Sequence, residues 1–225
     1  MPKGKLLSRI LLIIGSLCII AGAVFVVYNM YDDARAATEL IAENEKLEAL
    51  VLSPEAAKRR AASHEPEPHT TLPDPFAPPT AEPTQEPRDM TVLTVDGTDY
   101  VAMLSIPALG LEFSVRSEWS YPGLKKSPCR FSGSAYNNDL VICAHNYSSH
   151  FGRLRELNPG DEVLLVDMDG VLFTYHVELV EVLEPYETIP MIESEYELTL
   201  FTCTVGGEHR VTVRCSLDEV IVPQY

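Results

Sequence analysis

Leu198-Thr199-Leu200-Phe201-Thr202-Cys203, followed across Gly206-Gly207 by Arg210-Val211-Thr212-Val213-Arg214-Cys215, sets the architecture of this chain. The first run is apolar and β-branched, as a buried strand requires. In the second, valines alternate with polar residues, so Val211, Val213 and Cys215 share a core-facing side. Two such runs around a glycine-containing turn read as a hairpin. Cys203 then ends one strand and Arg210 begins its partner, which brings the guanidinium near the sulfur by geometry alone. A cation there lowers a thiol pKa and can hydrogen-bond an oxyanion formed at the same spot. Arg214 competes for that role, two residues along on the same face, but it lies further from the turn.

Outward from this hairpin the pattern stays almost entirely β. Met90–Val95 and Tyr100–Ile106 flank an Asp96-Gly97 turn signal. Leu111–Val115, Leu140–Ala144, Val163–Val166 and Val171–Val182 follow, the last two joined at Asp169-Gly170. Only Phe151–Leu157 reads as a short helix, ended by Asn158-Pro159-Gly160. Many short strands with turn signals and one helical turn predict an all-β closed barrel or a sandwich, of which the closed barrel is the expectation. The folded domain is expected to occupy residues 89–225.

His145 supplies the third chemical group. It follows the apolar strand Leu140-Val141-Ile142-Cys143-Ala144, where a core strand runs into a polar loop, and a histidine there can exchange protons near neutral pH. His64 and His69 lie in a proline-rich segment, His150 in the following loop and His176 inside a strand, while His209 is a rival through its closeness to Arg210. The 5 cysteines have neither a disulfide-scaffold pattern nor a CxxC pair, and no His/Cys cluster has zinc spacing. A net charge of −16 leaves no basic field for nucleic acid.

The N-terminus is organised differently. Lys3, Lys5 and Arg9 mark a short tail, residues 1–9, before a charge-free apolar run that defines an anchor over residues 10–28. At about 1.5 Å per residue it spans a hydrocarbon core of roughly 30 Å. A cleavable signal peptide would have a shorter apolar region, with its small residues after the run rather than inside it at Ala21-Gly22-Ala23. Basic residues before the span, and Asp32 and Asp33 after it, predict a single pass with the N-terminus cytoplasmic and the domain outside. Residues 29–52 read as a helical stalk, with Leu40, Leu47 and Val51 at roughly helical spacing. Residues 53–88 are dense in proline and poor in apolar side chains, which predicts an extended spacer.

Thr199-Leu200-Phe201-Thr202-Cys203 resembles the Thr-Leu-x-Thr-Cys signature of sortases, and His209-Arg210-Val211-Thr212-Val213-Arg214 is similar to their arginine motif. Ala144-His145-Asn146, Phe151-Gly152-Arg153-Leu154 and Pro159-Gly160-Asp161 resemble the family's histidine loop and the helix-turn after it. Ile106-Pro107-Ala108-Leu109-Gly110-Leu111 matches its Ile-Pro-x-x-Gly-Leu stretch, and Ala144 departs from the glycine common before the histidine. The resemblance implies an eight-stranded β-barrel with one or two short helices, and a membrane-anchored cysteine transpeptidase with Cys203 as nucleophile, His145 as acid/base and Arg210 holding the substrate carbonyl. Its substrates would be surface proteins bearing a C-terminal sorting signal, its acceptor an amine such as a peptidoglycan precursor or a pilin lysine, and no cofactor is needed. The segment before the cysteine strand would help bind the signal, through Ile189, Pro190 and Ile192, with Thr202 at the groove floor. L,D-transpeptidases resemble the chain less, because Thr204 rather than arginine follows Cys203. A non-catalytic anchored binding module is the alternative, and it requires Cys203 to be a buried core thiol.

Overall fold

The computed structural model describes residues 3–51 and 88–223, so the expected spacer lies outside the described residues apart from Arg88. A single helix, α1 (Lys3–Val51), covers both the expected anchor and the expected stalk. Among the described residues nine strands follow: β1 (Leu93–Val95), β2 (Thr98–Ile106), β3 (Leu111–Arg116), β4 (Cys129–Ser132), β5 (Leu140–Cys143), β6 (Glu162–Asp167), β7 (Leu172–Leu183), β8 (Leu198–Cys203) and β9 (Arg210–Ile221). Two short α-helices, α2 (Tyr121–Leu124) and α3 (Thr188–Ile192), flank the strands. The expected helix after the histidine loop is a 3-10 turn, Phe151–Glu156.

The sheet runs β1-β2-β3-β4-β5-β8-β9-β7-β6, and an antiparallel β2–β6 pairing closes the eight strands β2 to β9 into a ring. Closure leaves only β1 outside the ring and removes the free edges an open sheet presents. The ring is closed unevenly. β7 and β9 pair along nearly their whole length, from Leu172↔Ile221 to Leu183↔Arg210, whereas β3 and β4 meet only at Arg116↔Cys129. β4 is only four residues long and carries polar residues, too short a run to mark a strand in the sequence. β9 also runs on to Ile221, past the expected end at Ser216.

Alternation places one side chain of each pair inside the ring. There Phe113 and Phe151 meet edge-to-face with centroids 5.4 Å apart, within a core that includes Leu104, Ile106, Ile142, Leu165, Tyr175 and Val213. β5 and β8, paired in parallel, are buried on both faces. Their outer faces carry a second, smaller core of Cys129, Val141, Cys143, Met191 and Phe201, roofed by Phe131, Leu124 and Leu183. That second layer explains why β8 reads as an unbroken apolar and threonine run rather than an alternating one.

The distal half of α1 packs against the domain. Leu40, Leu47 and Val51, the stripe read from the sequence, are buried at 5%, 0% and 2% exposure. Asn44 serves the outer edge of β3 as a strand would: its Nδ2 donates to the Glu112 carbonyl at 2.7 Å, and its Oδ1 accepts from the Ser114 amide at 2.6 Å. Arg116 closes on Glu43 at 2.6 Å beside them. The anchor portion of α1 is exposed throughout, and among the described residues α1 is the one helix long and apolar enough to cross a membrane.

Candidate active site

The floor of the site follows from the parallel β5–β8 pair. Cys143 lies opposite Phe201, and the Ala144 amide donates to the Phe201 carbonyl at 3.2 Å. Thr202 Oγ1 donates back to the Ala144 carbonyl at 2.9 Å. The two chains therefore leave the sheet locked together one residue before His145 and Cys203. On the other side of β8, Cys203 is the register partner of Arg210 in β9. Three candidate residues thus emerge at one end of three neighbouring strands.

Cys203 is exposed, the single exposed position of β8. The other domain cysteines, Cys129, Cys143 and Cys215, are free and buried, and burial pushes the Cys129 thiol up to about 11 and those of Cys143 and Cys215 higher still. Exposure of Cys203 removes the premise of the core-thiol alternative. The β8–β9 turn is closed by Thr204, whose amide donates to the His209 carbonyl at 2.9 Å and whose Oγ1 accepts from the His209 amide at 3.1 Å. Gly206 and Gly207 take φ of 90° and 77° there, a region only glycine enters readily. Arg210 Nη1 donates to the Gly207 and His209 carbonyls at 3.0 and 3.1 Å, which ties the guanidinium to the turn next to the thiol.

His145 is half-buried. Its ring stacks on Tyr147, centroids 4.0 Å apart and planes 23° apart, and its Nδ1 is buried without a hydrogen bond. Burial, and secondarily the Lys125 charge, lower its pKa below the ordinary histidine value. The loop that carries it is cross-tied: the Phe151 amide donates to the His145 carbonyl at 3.2 Å and the Gly152 amide to the Tyr147 carbonyl at 2.9 Å. A Cβ on Gly152 would lie 2.5 Å from the Asn146 carbonyl oxygen, so the loop closes only over glycine. The rival histidines are accounted for elsewhere. His209 pairs with Glu184 at 3.4 Å, His176 sits between Glu178 and Asp218, and His150 is fully buried.

Cys203 and Arg210 open onto a cleft walled by Trp119 and Tyr121 from the β3–β4 connection and by Pro185, Thr188 and Met191 from the β7–β8 connection. Thr202 lines this cleft, although its hydroxyl is committed to Ala144. Ile189 and Ile192 are exposed at 69% and 38%, and Pro190 is exposed too; the side chains from α3 that line the cleft are Thr188 and Met191. The one-turn helix α3 rotates successive residues by about 100°, a detail that a loop reading of the segment lacks. Trp119 and Tyr121 also went unread in the sequence, since aromatics in an irregular connection carry no periodic signal.

Arg214 was a candidate for the cation and has a different place. It is 3% exposed, and its Nε donates to Glu181 Oε1 at 2.8 Å. Its Nη1 donates to Thr199 Oγ1 at 3.0 Å and its Nη2 to the Pro190 carbonyl at 2.8 Å. It fastens α3 to the sheet.

A family model for the sortase domain matches residues 104–218, about half of the chain and nearly all of the ring. The chain belongs to the sortase family. Sortases are cysteine transpeptidases, and the exposed thiol at the strand end accords with such chemistry. No curated protein matches the chain. Among solved structures, sortase C of Streptococcus pneumoniae is similar at a TM-score of 0.54 and 21% identity, covering 80% of this chain and 98% of that one. A sortase D5 transpeptidase of Clostridium perfringens gives 0.52 and 17%, covering 81% and 97%. Sortase A of Corynebacterium diphtheriae gives 0.50 and 19%; the match covers 56% of this sortase but only 64% of that chain. At these identities the likeness is one of fold.

Proposed function

We propose that this sortase cleaves a C-terminal sorting signal of surface proteins and transfers the acyl fragment to an amine, with Cys203, His145 and Arg210 as the catalytic residues. The observation that carries the reading is the exposure of Cys203 directly opposite Arg210, beside the end of the strand that leads to His145. Cys203 passes its thiol proton to His145, the resulting thiolate attacks a backbone carbonyl of the signal, and Arg210 donates to the carbonyl oxygen as negative charge gathers on it. Collapse of the tetrahedral adduct expels the downstream amine, which takes its proton from His145. An incoming amine, from a peptidoglycan precursor or a pilin lysine, then attacks the thioester while His145 accepts its proton, and the C–S bond breaks to release Cys203, which recovers its proton from His145. Splitting the amide exchange into two acyl transfers avoids a direct amine-on-amide step.

The cleft walls suit an extended peptide with apolar side chains, and α3 with Thr202 lines the path toward the thiol. The charge arrangement around the span supports a single pass with the N-terminus cytoplasmic and the catalytic domain outside. The test uses the full-length chain in detergent with a pool of sorting-signal-type peptides and an amine acceptor, beside Cys203→Ala, with products followed by mass. An acyl adduct on Cys203 and an amine-exchanged peptide are expected. Hydrolysis without exchange would make the protein a peptidase, and no adduct with any peptide would favour an anchored binding module.

A further inference from the structure

The His145 loop is gripped by a part of the chain that this chemistry leaves unused. The Tyr147 hydroxyl donates to Asp32 Oδ2 in α1 at 2.5 Å, while the Tyr147 ring lies on His145. Ser148 donates to Asp33 Oδ2, and Ser149 to Asp33 Oδ1 at 3.3 Å. These contacts continue a packed interface. Asp32, Ala36 and Leu40 recur every fourth residue on one face of α1, Ala36 and Leu40 are buried, and Asn44 and Glu43 bind β3 one turn further on.

A catalytic base is commonly oriented by a third group. Among the described residues no carboxylate meets His145 Nδ1, and what fixes its ring is the Tyr147 stack. Tyr147 in turn is held by Asp32. We propose that Asp32 and Asp33 are positioning residues for His145, so that this sortase works docked on its own membrane helix, with the helix completing the histidine loop. The proposal rests on the reading of His145 as acid/base.

Position along the helix gives the docking a further consequence. Asp32 follows Tyr28, the end of the expected span, by about 6 Å of helix rise. The histidine loop is thereby held in the headgroup layer, and both substrates must be presented at the membrane surface. Charge supports the coupling. Lys125 from the end of α2, Asp32 and Asp33 from α1, and Tyr147 and His150 of its own loop surround His145, with Cys203 and Arg210 at the neighbouring strand ends. Burial and Lys125 lower the His145 pKa, and Asp32 and Asp33 act in the opposite direction. Removing the two carboxylates therefore lowers it further.

The experiment compares full-length wild type with Asp32→Asn/Asp33→Asn and with Tyr147→Phe, all in lipid nanodiscs. Histidine titrations are followed by NMR with carbon-13-labelled imidazoles, His145 being assigned through His145→Gln. Amide exchange is measured over residues 145–150, and transfer kinetics across pH. The double variant is expected to titrate His145 at lower pH, to exchange faster across the loop and to lose about tenfold in kcat with little change in KM. That loss is smaller than the roughly 10²–10⁴-fold contribution of the proton transfer itself. Tyr147→Phe keeps the stack and both carboxylates but loses the Asp32 bond, so it should show the faster exchange and part of the kcat loss without the lowered His145 titration. An unchanged His145 titration in the double variant overturns the proposal, including when the variant merely melts earlier. If His145→Gln retains turnover, the acid/base reading fails by itself, and titration and exchange still decide the docking because neither needs turnover.

Discussion

Cys203 and Arg210 are the last opposed pair of β8 and β9 before the turn, and the five β8 residues before Cys203 are buried. The pair thus stands where the sheet ends and solvent begins, on a rigid base. Neither side chain contributes to the core, so the two can be changed without loosening the ring. Cys203→Ala should abolish acyl transfer and leave unfolding free energy within about 0.5 kcal/mol of wild type. Arg210→Lys should fold equally well yet lose about 10²-fold or more in kcat/KM, because an ammonium cannot keep its tie to the turn and also offer a planar fork to the oxyanion. Product mass and circular dichroism check both.

Differential burial of the thiols predicts selective alkylation. Iodoacetamide on the native full-length chain should label Cys203 and spare Cys129, Cys143 and Cys215, which react only after denaturation. Peptide mapping after a short pulse reads this out. Labelling of Cys143 at the same rate would mean that the small outer core opens on the experimental timescale.

Arg214 holds α3 through the Pro190 carbonyl and pairs with Glu181 at 2.8 Å. Truncating a buried charged partner costs about 3–5 kcal/mol, and somewhat less here because Glu181 keeps access to water. Arg214→Met should therefore destabilise the domain by about 2–4 kcal/mol in urea unfolding. It should also raise KM for peptide more than it lowers kcat, since the wall containing Thr188 and Met191 loosens while the thiol stays in place. Arg214→Lys should not restore either property, because one ammonium cannot span carboxylate, hydroxyl and carbonyl at once.

Strand order along the sequence and the placement of Cys203 opposite Arg210 across one turn were legible because each rests on a local signal: period-two burial, turn glycines, or a chemical residue at a strand end. β8 was read at its observed bounds, Leu198–Cys203. β4 was not read, since Cys129–Ser132 is four residues long, includes polar side chains and is held by pairing with β5 rather than by its own pattern. The stripe of Leu40, Leu47 and Val51 was legible as a helix face, but what it packs against was not. A helical face states that it needs a partner, and only the tertiary structure shows that Leu40 joins the main core while Leu47 and Val51 pack with Tyr100 and Met168. The same limit applies to Arg214, whose neighbours come from β7, β8 and α3.

Gly152 tests the geometry of the histidine loop. Adding a methyl group there brings it 2.5 Å from the Asn146 carbonyl oxygen and 2.7 Å from that of Tyr147, both backbone atoms that cannot turn aside. Gly152→Ala should destabilise the domain by about 1–3 kcal/mol, as overpacking does. Its kcat should fall further than its stability suggests, because the displaced atoms adjoin His145. Kinetics at a temperature where the variant is fully folded separate the two effects.

His150 predicts an acid weakness of the fold. It is fully buried, edge-on to Tyr147 at 5.4 Å and to Phe113 at 6.5 Å, and burial, reinforced by the nearby His145 charge, lowers its pKa to about 4. An unfolded histidine titrates near 6.5. As pH falls from about 6.5 to about 4, the unfolded chain takes up a proton at His150 and the folded chain does not. Stability is therefore complete above that window and declines through it, by about 3 kcal/mol from this residue. His145, also lowered, acts in the same direction, while His176, raised by Glu178 and Asp218 at the surface, acts weakly in the other. His150→Phe removes the titrating group and keeps an apolar ring between Tyr147 and Phe113. Its unfolding free energy should vary less between pH 6.5 and 4 than that of wild type, measured by urea unfolding at a series of pH values. Parallel curves for the two proteins would assign the acid sensitivity to other groups and would mean that His150 is already protonated or solvated in the folded state.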